Sequence, residues 1–388
     1  MPSLLSGFSS KLATLAGLMR DPDRLRVYVR NRIPSLPATS PLIRWLYPAW
    51  WKYQVYRFSF RFRGGEGETK PKGRNRYLIR IPNAAGIGDQ ILTCWSETYM
   101  LARTYGLTFA HHPFLRSYHC PDADWEAFLG FGEGEVQATE LLRDKSLVKV
   151  YLPPLALTSP QNHLILSRLI NRVYRQDNVV FHLGTGVYLG SDIEQAEVMP
   201  SVYQHKYQAA RRRSRVAETF DQRHLHVAVH IRRGDLALLK DALGEQWDKR
   251  WIDLSYYTNV LGDLLSALAT YRTQVHIFSD GTADELAELE SFPNTRLHLG
   301  DDPIESFHAM VIADVLVVST SAFAICAGKI CGGIKLAGKD FDSPQFRLFI
   351  PGGEDWIQIE PDGHFFPDTE RRIGKLLRPH VADRVWAT

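Results

Sequence analysis

The chain has 388 residues, of which 45% are hydrophobic and 23% charged, so it is long enough for two globular domains and too apolar for wholesale disorder. Its four cysteines are too few for a disulfide scaffold and lack the paired Cys or His partners of a zinc site. We therefore expect reduced, mostly buried thiols at Cys94, Cys120, Cys326 and Cys331. No stretch reaches the roughly 18 apolar residues of a membrane span, and residues 1–20 show no signal-peptide cleavage pattern, which predicts a cytoplasmic protein.

The net charge of +3 is unevenly distributed along the chain. Residues 1–80 carry sixteen Lys and Arg against four Asp and Glu, a net +12, whereas the other residues carry 30 against 39, a net −9. Within the basic part, the segment 44–52 contains Trp45, Tyr47, Trp50 and Trp51. Aromatic residues flanked by cations favour a bilayer interface, which predicts peripheral attachment to the anionic inner face of a membrane. The alternative is that these rings pack against the rest of the protein. No nucleic-acid partner is expected, because the charge follows no recognisable reading helix.

Residues 1–76 are predicted to form a basic, aromatic N-terminal extension, and from Tyr77 onwards strand and helix patterns alternate. In the first series we predict strands at 77–81, 107–110, 147–152 and 179–183, with a helix at 89–105. A second series has strands at 227–231, 275–279, 315–318 and 334–337, with helices at 251–271, 283–291 and 322–331. Such alternation predicts parallel sheets covered on both faces. The fold class is therefore α/β, with two Rossmann-like domains, residues 77–220 and 221–388, facing across a cleft.

The first candidate site motif, Asn-Ala-Ala-Gly-Ile-Gly-Asp-Gln, ends at Gln90 between a strand and a helix. Gly86 and Gly88 allow a tight turn and a close approach of backbone amides to an anionic ligand at a helix N-terminus. A tight turn with Asp89 as the helix N-cap explains the same pattern. Since the full Gly-x-Gly-x-x-Gly fingerprint is incomplete, the motif alone favours the turn.

The second motif, His-Ile-Arg-Arg-Gly-Asp from His230 to Asp235, follows a predicted buried strand. Ligands of open α/β sheets bind beyond the carboxyl ends of the strands. One of Arg232 and Arg233 can reach the cleft there, where a guanidinium holds a pyrophosphate with two hydrogen bonds. An ion pair between Arg232 and Asp235 is the structural alternative. The functional interpretation is favoured, because burying these polar residues together is costly without a ligand.

A third motif, Ala-Asp-Val-Leu-Val-Val-Ser-Thr-Ser, ends in three hydroxyl residues before a helix. Ser319, Thr320 and Ser321 suit a phosphate seat, although any of them could simply cap the helix. Asp280, which closes another strand, is equally compatible with a turn and with ligand contact. No Asp-x-Asp pair follows a strand directly and the adjacent histidines at 111–112 point to opposite faces, so no metal is expected.

Together the three motifs resemble the fucosyltransferase superfamily of α1,2-, α1,6- and protein O-fucosyltransferases, over about residues 77–340. The resemblance implies a GT-B-like fold in which the second domain holds GDP-fucose and the first binds the acceptor. By this resemblance Arg232 contacts the donor pyrophosphate and His230 lies beside the nucleotide. The hydroxyl turn at 319–321 contacts phosphate and Asp314 lies near the guanine. These enzymes invert the sugar configuration and need no metal.

The sequence departs from the family pattern at three places. Asp89 replaces an asparagine of the first motif, residues 236–240 offer no carboxylate after the arginines, and Ala-Phe-Ala-Ile-Cys replaces aromatic residues after the hydroxyl turn. Despite these departures, the resemblance implies an inverting, metal-independent transferase that moves fucose from GDP-fucose to a glycan hydroxyl, as in polysaccharide biosynthesis, without any cofactor. Asp235 is the first candidate for the base and Asp89 the second. The alternatives are a heptosyltransferase-like enzyme with another nucleotide sugar and a non-catalytic, membrane-associated nucleotide- or anion-binding protein.

Overall fold

The chain divides into two compact units, residues 1–68 and residues 69–388, and the described structure lies within the second. The structure is a computed structural model. It describes residues 75–82, 85–116, 120, 122–152, 160–183, 193–213, 220–234, 236–237, 250–338 and 353–381. The aromatic segment 44–52 and Asp235 lie outside these residues, and the predicted domain boundaries stay a prediction.

The first half of the described unit is built on a five-stranded parallel sheet. Its strands are β1 (Arg76–Ile79), β2 (Thr108–His111), β3 (Val136–Gln137), β4 (Val148–Leu152) and β5 (Val179–Leu183), in the order β3-β2-β1-β5-β4. The helices are α1 (Ile87–Asp89, a π-helical stretch Gln90–Ser96, and Glu97–Tyr105), α2 (Trp125–Leu129), α3 (Ala138–Arg143), α4 (Pro160–Arg168) and α5 (Ile193–Arg213). The strand order reverses between β1 and β5, so the first glycine motif, which follows β1, lies at a topological switch point.

The second half contains a six-stranded parallel sheet. Its strands are β6 (Leu225–Ile231), β7 (Thr273–Ser279), β8 (Thr295–Leu299), β9 (Val315–Val317), β10 (Ile334–Gly338) and β11 (Trp356–Ile359). The order β8-β7-β6-β9-β10-β11 is that of a Rossmann sheet. The helices are α6 (Leu254–Ala267), α7 (Ala283–Glu290), α8 (Pro303–Ile312), α9 (Ala322–Ile330) and α10 (Thr369–Val381). The switch point lies between β6 and β9, and these two strands lead into the second and third motifs.

The prediction of an α/β fold with two parallel sheets is confirmed, and eight strands lie within two residues of their predicted bounds, whereas helices α2, α3, α4, α5 and α10 were not predicted. Strands β3, β8 and β11 were missed, because their short sequences alternate with exposed residues and lack a continuous apolar run. The predicted helix at 251–271 is shorter, since Asp253 precedes its first turn and Leu268 ends it. Cys94, Cys326 and Cys331 are buried free thiols and Cys120 is half-buried. Within the described ranges no helix is long and apolar enough to cross a membrane.

The two halves meet where the start of α1 crosses the start of α9. A methyl group added at Gly88 would lie 2.4 Å from the carbonyl carbon of Ala322 and 2.7 Å from the amide nitrogen of Phe323. The Cys326 thiol, on the next turn of α9, donates to the carbonyl oxygen of Gly88 at 3.4 Å. The two helix backbones are therefore in direct contact at a position that admits no side chain. This contact holds the two switch points beside each other.

A buried ion pair fixes α1 to the sheet of the first half. Arg80, which follows β1, binds the carboxylate of Glu97 on α1 at 2.6 Å, and both side chains are less than a tenth exposed. The pairing compensates two charges that would be costly to bury singly. Since Glu97 directly follows the π-helical stretch, the pair ties that part of α1 to the end of β1.

We predict that Gly88→Ala lowers the free energy of unfolding by about 1–3 kcal/mol, because the new methyl group overlaps main-chain atoms that cannot move independently. Gly262→Ala is a matched control, since Gly262 lies within α6 and its added methyl group meets no atom within 4 Å among the described residues. Removing this glycine from a helix interior should stabilise the protein by up to about 1 kcal/mol. Urea unfolding of both variants measures the difference, and a Gly88→Ala protein as stable as wild type would contradict the contact.

Candidate functional site

A cleft of about 590 Å³ opens where the carboxyl ends of the two sheets face each other. The first half contributes residues 86–89 after β1 and Asp122 in the loop after β2. The second half contributes residues at or just after the carboxyl ends of β6, β7, β8 and β9. Small-molecule sites of proteins have volumes of roughly 300–1,000 Å³. The cleft thus has the size and the position at two switch points that a nucleotide-type ligand requires.

The two arginines of the second motif have different environments. Arg232 is half-buried and lines the cleft. Arg233 is 3% exposed, its guanidinium stacks 4.2 Å above the Trp251 ring, and its Nη1 donates to the Arg232 carbonyl oxygen at 3.0 Å. Adjacent residues of an extended segment point to opposite sides. The sequence therefore predicts that only one of the two arginines reaches the cleft, but not which one. The structure assigns Arg232 to the cleft and Arg233 to the support beneath it.

Asp280, which follows β7, contacts the backbone of the Arg232–Gly234 segment. Its Oδ1 accepts the Arg233 amide hydrogen at 2.6 Å, and a methyl group at Gly234 would lie 2.3 Å from its Oδ2. A side chain at position 234 would therefore displace this carboxylate. Asp280 also lines the cleft, so the two sequence interpretations of this residue, turn and ligand contact, are compatible.

His230 lies at the end of β6 and is neutral. Burial, together with the nearby Arg232 charge, lowers the pKa of His230 to about 3. Its Nδ1 lies 2.7 Å from the Ser319 hydroxyl oxygen, which joins the ends of β6 and β9 across the switch point. The imidazole lines the cleft as a polar, uncharged group beside the guanidinium.

The three hydroxyl residues after β9 serve different purposes. Ser319 contacts His230, and the Thr320 hydroxyl donates to the carbonyl oxygen of Arg250 at 2.7 Å. Ser321 lines the cleft and is the N-cap of α9, where its side chain makes no capping hydrogen bond. Unbonded amides at a helix N-terminus favour anions. Of the three predicted phosphate contacts, Ser321 is the one that the structure brings to the cleft.

In the first motif, Gly86 is the N-cap of α1 and Asp89 lies in its first turn, so Asp89 does not cap the helix. Asp89 is exposed and lines the cleft. Gln90 is fully buried. Its side-chain Nε2 donates to the carbonyl oxygens of Ala85 and Leu115 at 3.0 Å, and its Oε1 accepts from the backbone amide of Leu115 at 2.8 Å. Gln90 therefore ties the glycine turn to the loop after β2, the loop that continues to Asp122.

The structure does not bring Asp314 to the cleft. This residue precedes β9, and its Oδ2 accepts the amide hydrogen of His226 at the start of β6 at 2.8 Å. Both positions are at the amino ends of their strands, whereas the cleft lies at the carboxyl ends. Asp314 thus joins two neighbouring strands and is far from the site where the resemblance would have it bind a base.

Sequence reasoning missed several groups in the cleft, notably Asp122, His298 and Asp301. Asp302, next to Asp301, caps α8 by accepting from the amides of Ile304 and Glu305. The available signal was strand β8: once it is recognised, the parallel sheet places the residues after it beside those after β7.

No model of a protein family matches the sequence, and no curated protein matches it. Similar solved structures include POFUT1 in complex with GDP, with 12% identity over 68% of this chain and 98% of that chain and a TM-score of 0.44. The fucosyltransferase NodZ from Bradyrhizobium has 16% identity over 66% of this chain and 94% of that chain, with a TM-score of 0.36. The E. coli heptosyltransferase WaaC with ADP has 10% identity over 78% of this chain and 99% of that chain, with a TM-score of 0.37.

The resemblance to fucosyltransferases noted in the motifs therefore recurs among the similar solved structures, beside the heptosyltransferase that was the alternative. With identities below 25% and TM-scores below 0.5, these likenesses assign the chain to no family. The function has to be argued from the residues of the cleft.

We predict that Arg232→Ala abolishes binding of a nucleoside diphosphate while the melting temperature stays within about 2 °C of wild type, because Arg232 borders the cleft rather than the core. Arg233→Ala is the matched control. It removes a buried guanidinium from Trp251 and should lower the melting temperature by several degrees. Calorimetric titration and thermal unfolding of both proteins test the division. A large loss of stability in Arg232→Ala would show that Arg232 is the structural residue.

Proposed function

We propose that this protein is a glycosyltransferase that transfers fucose from GDP-fucose to a hydroxyl of a glycan or glycoconjugate, with inversion and without a metal ion. The observation that carries the proposal is the convergence of Arg232, neutral His230 and the N-terminus of α9 at the switch point of a Rossmann-ordered sheet. These groups suit a diphosphate, since a guanidinium and the N-terminus of a helix stabilise phosphate oxygens without a cation.

The proposed reaction places the leaving group on the second half. The bond between the sugar anomeric carbon and the β-phosphate oxygen breaks, and the charge that develops on the diphosphate is stabilised by Arg232 and by the amides at the start of α9. A bond from the acceptor oxygen forms on the opposite face of the sugar, and a carboxylate takes the acceptor proton. The guanine and fucose preferences rest on the resemblance of the three motifs to the fucosyltransferase superfamily.

Two carboxylates of the first half face the cleft and are candidates for the base. Asp89 and Asp122 are both exposed there. In the second half, Asp280 and Asp302 already accept hydrogen bonds within the fold. Asp280 accepts from the Arg233 amide, and Asp302 caps α8. The first half is also the half that the resemblance implies for the acceptor. Asp89 was already a candidate from the sequence. Asp122 is a second candidate, suggested by its position in the cleft.

We predict that Asp89→Asn or Asp122→Asn lowers kcat for transfer by about 10²–10⁴-fold with donor affinity unchanged, the usual contribution of a general base. Asp124→Asn is the matched control, because Asp124 is the N-cap of α2 and asparagine caps equally well. Single-turnover transfer and donor titration separate the two effects. If neither substitution lowers kcat, the base lies elsewhere, and Asp235 becomes the residue to replace.

Donor identity is tested by calorimetric titration with GDP-fucose, GDP-mannose, UDP and ADP, with and without a chelator. We expect chelator-insensitive binding of GDP-fucose, and its slow hydrolysis in the absence of an acceptor. Preference for ADP or UDP would overturn the fucosyltransferase proposal in favour of a heptosyltransferase-like enzyme. Binding without hydrolysis or transfer would indicate the non-catalytic protein, and a chelator-sensitive affinity would overturn metal independence.

A further inference from the structure

Three histidines form a diagonal row across the second sheet. His226, His276 and His298 lie on β6, β7 and β8, and the strand pairing sets Ala228 opposite His276 and Phe278 opposite His298. Each histidine therefore lies one strand further and two residues nearer the carboxyl ends than the one before. Residues two apart on a strand share one face of the sheet. The row runs from the amino end of β6 to the cleft at the end of β8.

The row is a continuous chain of hydrogen bonds. His226 Nε2 lies 2.8 Å from the Asp221 carbonyl oxygen, and His226 Nδ1 lies 3.1 Å from His276 Nε2. His276 Nδ1 lies 3.1 Å from His298 Nε2, and His298 Nδ1 lies 2.8 Å from Asp301 Oδ2. Because His276 uses opposite ring nitrogens toward its two neighbours, a single metal ion cannot bind all three rings. The contacts are hydrogen bonds.

The number of protons in this chain is fixed by its ends. A backbone carbonyl oxygen and a carboxylate oxygen only accept hydrogen bonds, and each neutral imidazole supplies one hydrogen. Four contacts need four hydrogens, whereas three neutral imidazoles have three. The fully bonded chain between Asp221 and Asp301 therefore contains one proton more than three neutral histidines carry.

Charge places the extra proton at the cleft end. His298 faces the Asp301 carboxylate, so an imidazolium there is paired with an opposite charge at 2.8 Å. Burial, and then the neighbouring His298 and His226, lower the pKa of His276 to about 3, so the middle ring stays neutral. His298 then donates from Nε2 to His276, His276 donates from Nε2 to His226, and His226 donates from Nε2 to the Asp221 carbonyl.

Aromatic rings shield the chain from water. The Phe220 ring lies parallel to His226, with 4.3 Å between the ring centroids, and Phe278 stacks on His298 at 4.5 Å. His226 and His276 are each 4% exposed. At these two buried rings, a broken contact leaves a nitrogen without a partner, which is costly.

The charged groups around the chain come from several elements. Arg296 on β8 and the Asp221 carboxylate act on His276 with opposite signs. Asp314, before β9, accepts from the His226 amide at 2.8 Å, and His224 binds the Asp221 carboxylate at 3.0 Å. On the adjacent helix α7, Glu285 is engaged in the capping box of its own helix. Asp301 is the carboxylate that directly accepts from a ring of the chain.

We propose that His226, His276 and His298 share one extra proton which fixes Asp301 at the wall of the cleft, so that loss of this proton with rising pH weakens binding of the nucleotide sugar. His298 and Asp301 both line the cleft. With the proton present, the pair is neutral and Asp301 is held. Without it, one contact of the chain is lost and the cleft gains a net negative charge, which repels a diphosphate. The identity of the ligand rests on the proposed function, whereas the sharing of the proton does not.

The shared proton is tested directly by ¹⁵N NMR of histidine-labelled full-length protein between about pH 5 and about pH 8, the range in which imidazoles titrate. At the acid end we expect one ring of the row, His298, with two protonated nitrogens, and the other two rings protonated at Nε2. His298→Gln should change the signals of His276 and His226 together, because it ends the donor series. Three neutral rings at the acid end, or His276 and His226 signals that do not respond to His298→Gln, would overturn the proposal.

The consequence for the cleft is tested by GDP-fucose affinity over the same pH range, with GDP-fucose chosen because it lacks the terminal phosphate whose second pKa is near 6. Wild-type affinity should fall about three- to tenfold from the acid to the alkaline end, within the limit of tenfold per pH unit for one linked proton. His298→Gln should bind more weakly at the acid end and show a flat profile.

His224→Gln is the matched control for this titration, since His224 pairs with Asp221 across the same three-residue spacing but outside the chain. It should keep the wild-type profile. A His298→Gln protein with the wild-type pH dependence would overturn the link between the chain and the cleft. If no protein binds GDP-fucose at any pH, the proposed function fails, and with it the consequence for the ligand. The NMR titration still decides the shared proton by itself.

Discussion

The contact between Gly88 and the first residues of α9 is the constraint on which the site depends. It is a main-chain contact, since a single methyl group at Gly88 would overlap Ala322 and Phe323. Because α1 starts at the switch point of one sheet and α9 at the switch point of the other, their contact brings the two switch points to one cleft. In the sequence Gly88 suggests a ligand-binding turn. In the structure its role is to allow close packing between the two halves.

At the second switch point, one residue of each neighbouring pair borders the cleft and the other contacts the surrounding fold. Arg232 borders the cleft while Arg233 stacks on Trp251, and Ser321 borders the cleft while Thr320 holds the Arg250 carbonyl. The supporting member of each pair is buried and has a defined partner, which holds the backbone beside the member that borders the cleft. In the proposed reaction, such support would hold polar groups in position toward the diphosphate.

The sequence predicted the strands that carry the motifs, because continuous apolar runs identify buried parallel strands. It predicted less of the site itself. Asp314 was placed near the nucleotide by resemblance, yet it lies at the amino end of β9, and Asp122 and Asp301 line the cleft although the sequence did not select them. Their positions depend on strand order, and the order of strands in a sheet is set by long-range pairing that local patterns do not contain. The histidine row escaped notice for the same reason, since 50 residues separate His226 from His276.

By itself, the sequence determined the α/β class, the positions of the three motifs after strands, and the types of side chain available for chemistry. These follow from periodicity and from turn chemistry, which act over a few residues. The tertiary structure alone decided which member of each motif reaches the cleft, that Gly88 joins the two halves, and that three distant histidines share one line of hydrogen bonds. The orientation of a side chain and its distance from other residues depend on strand register and on contacts between helices far apart in the chain. These exist only in the folded molecule.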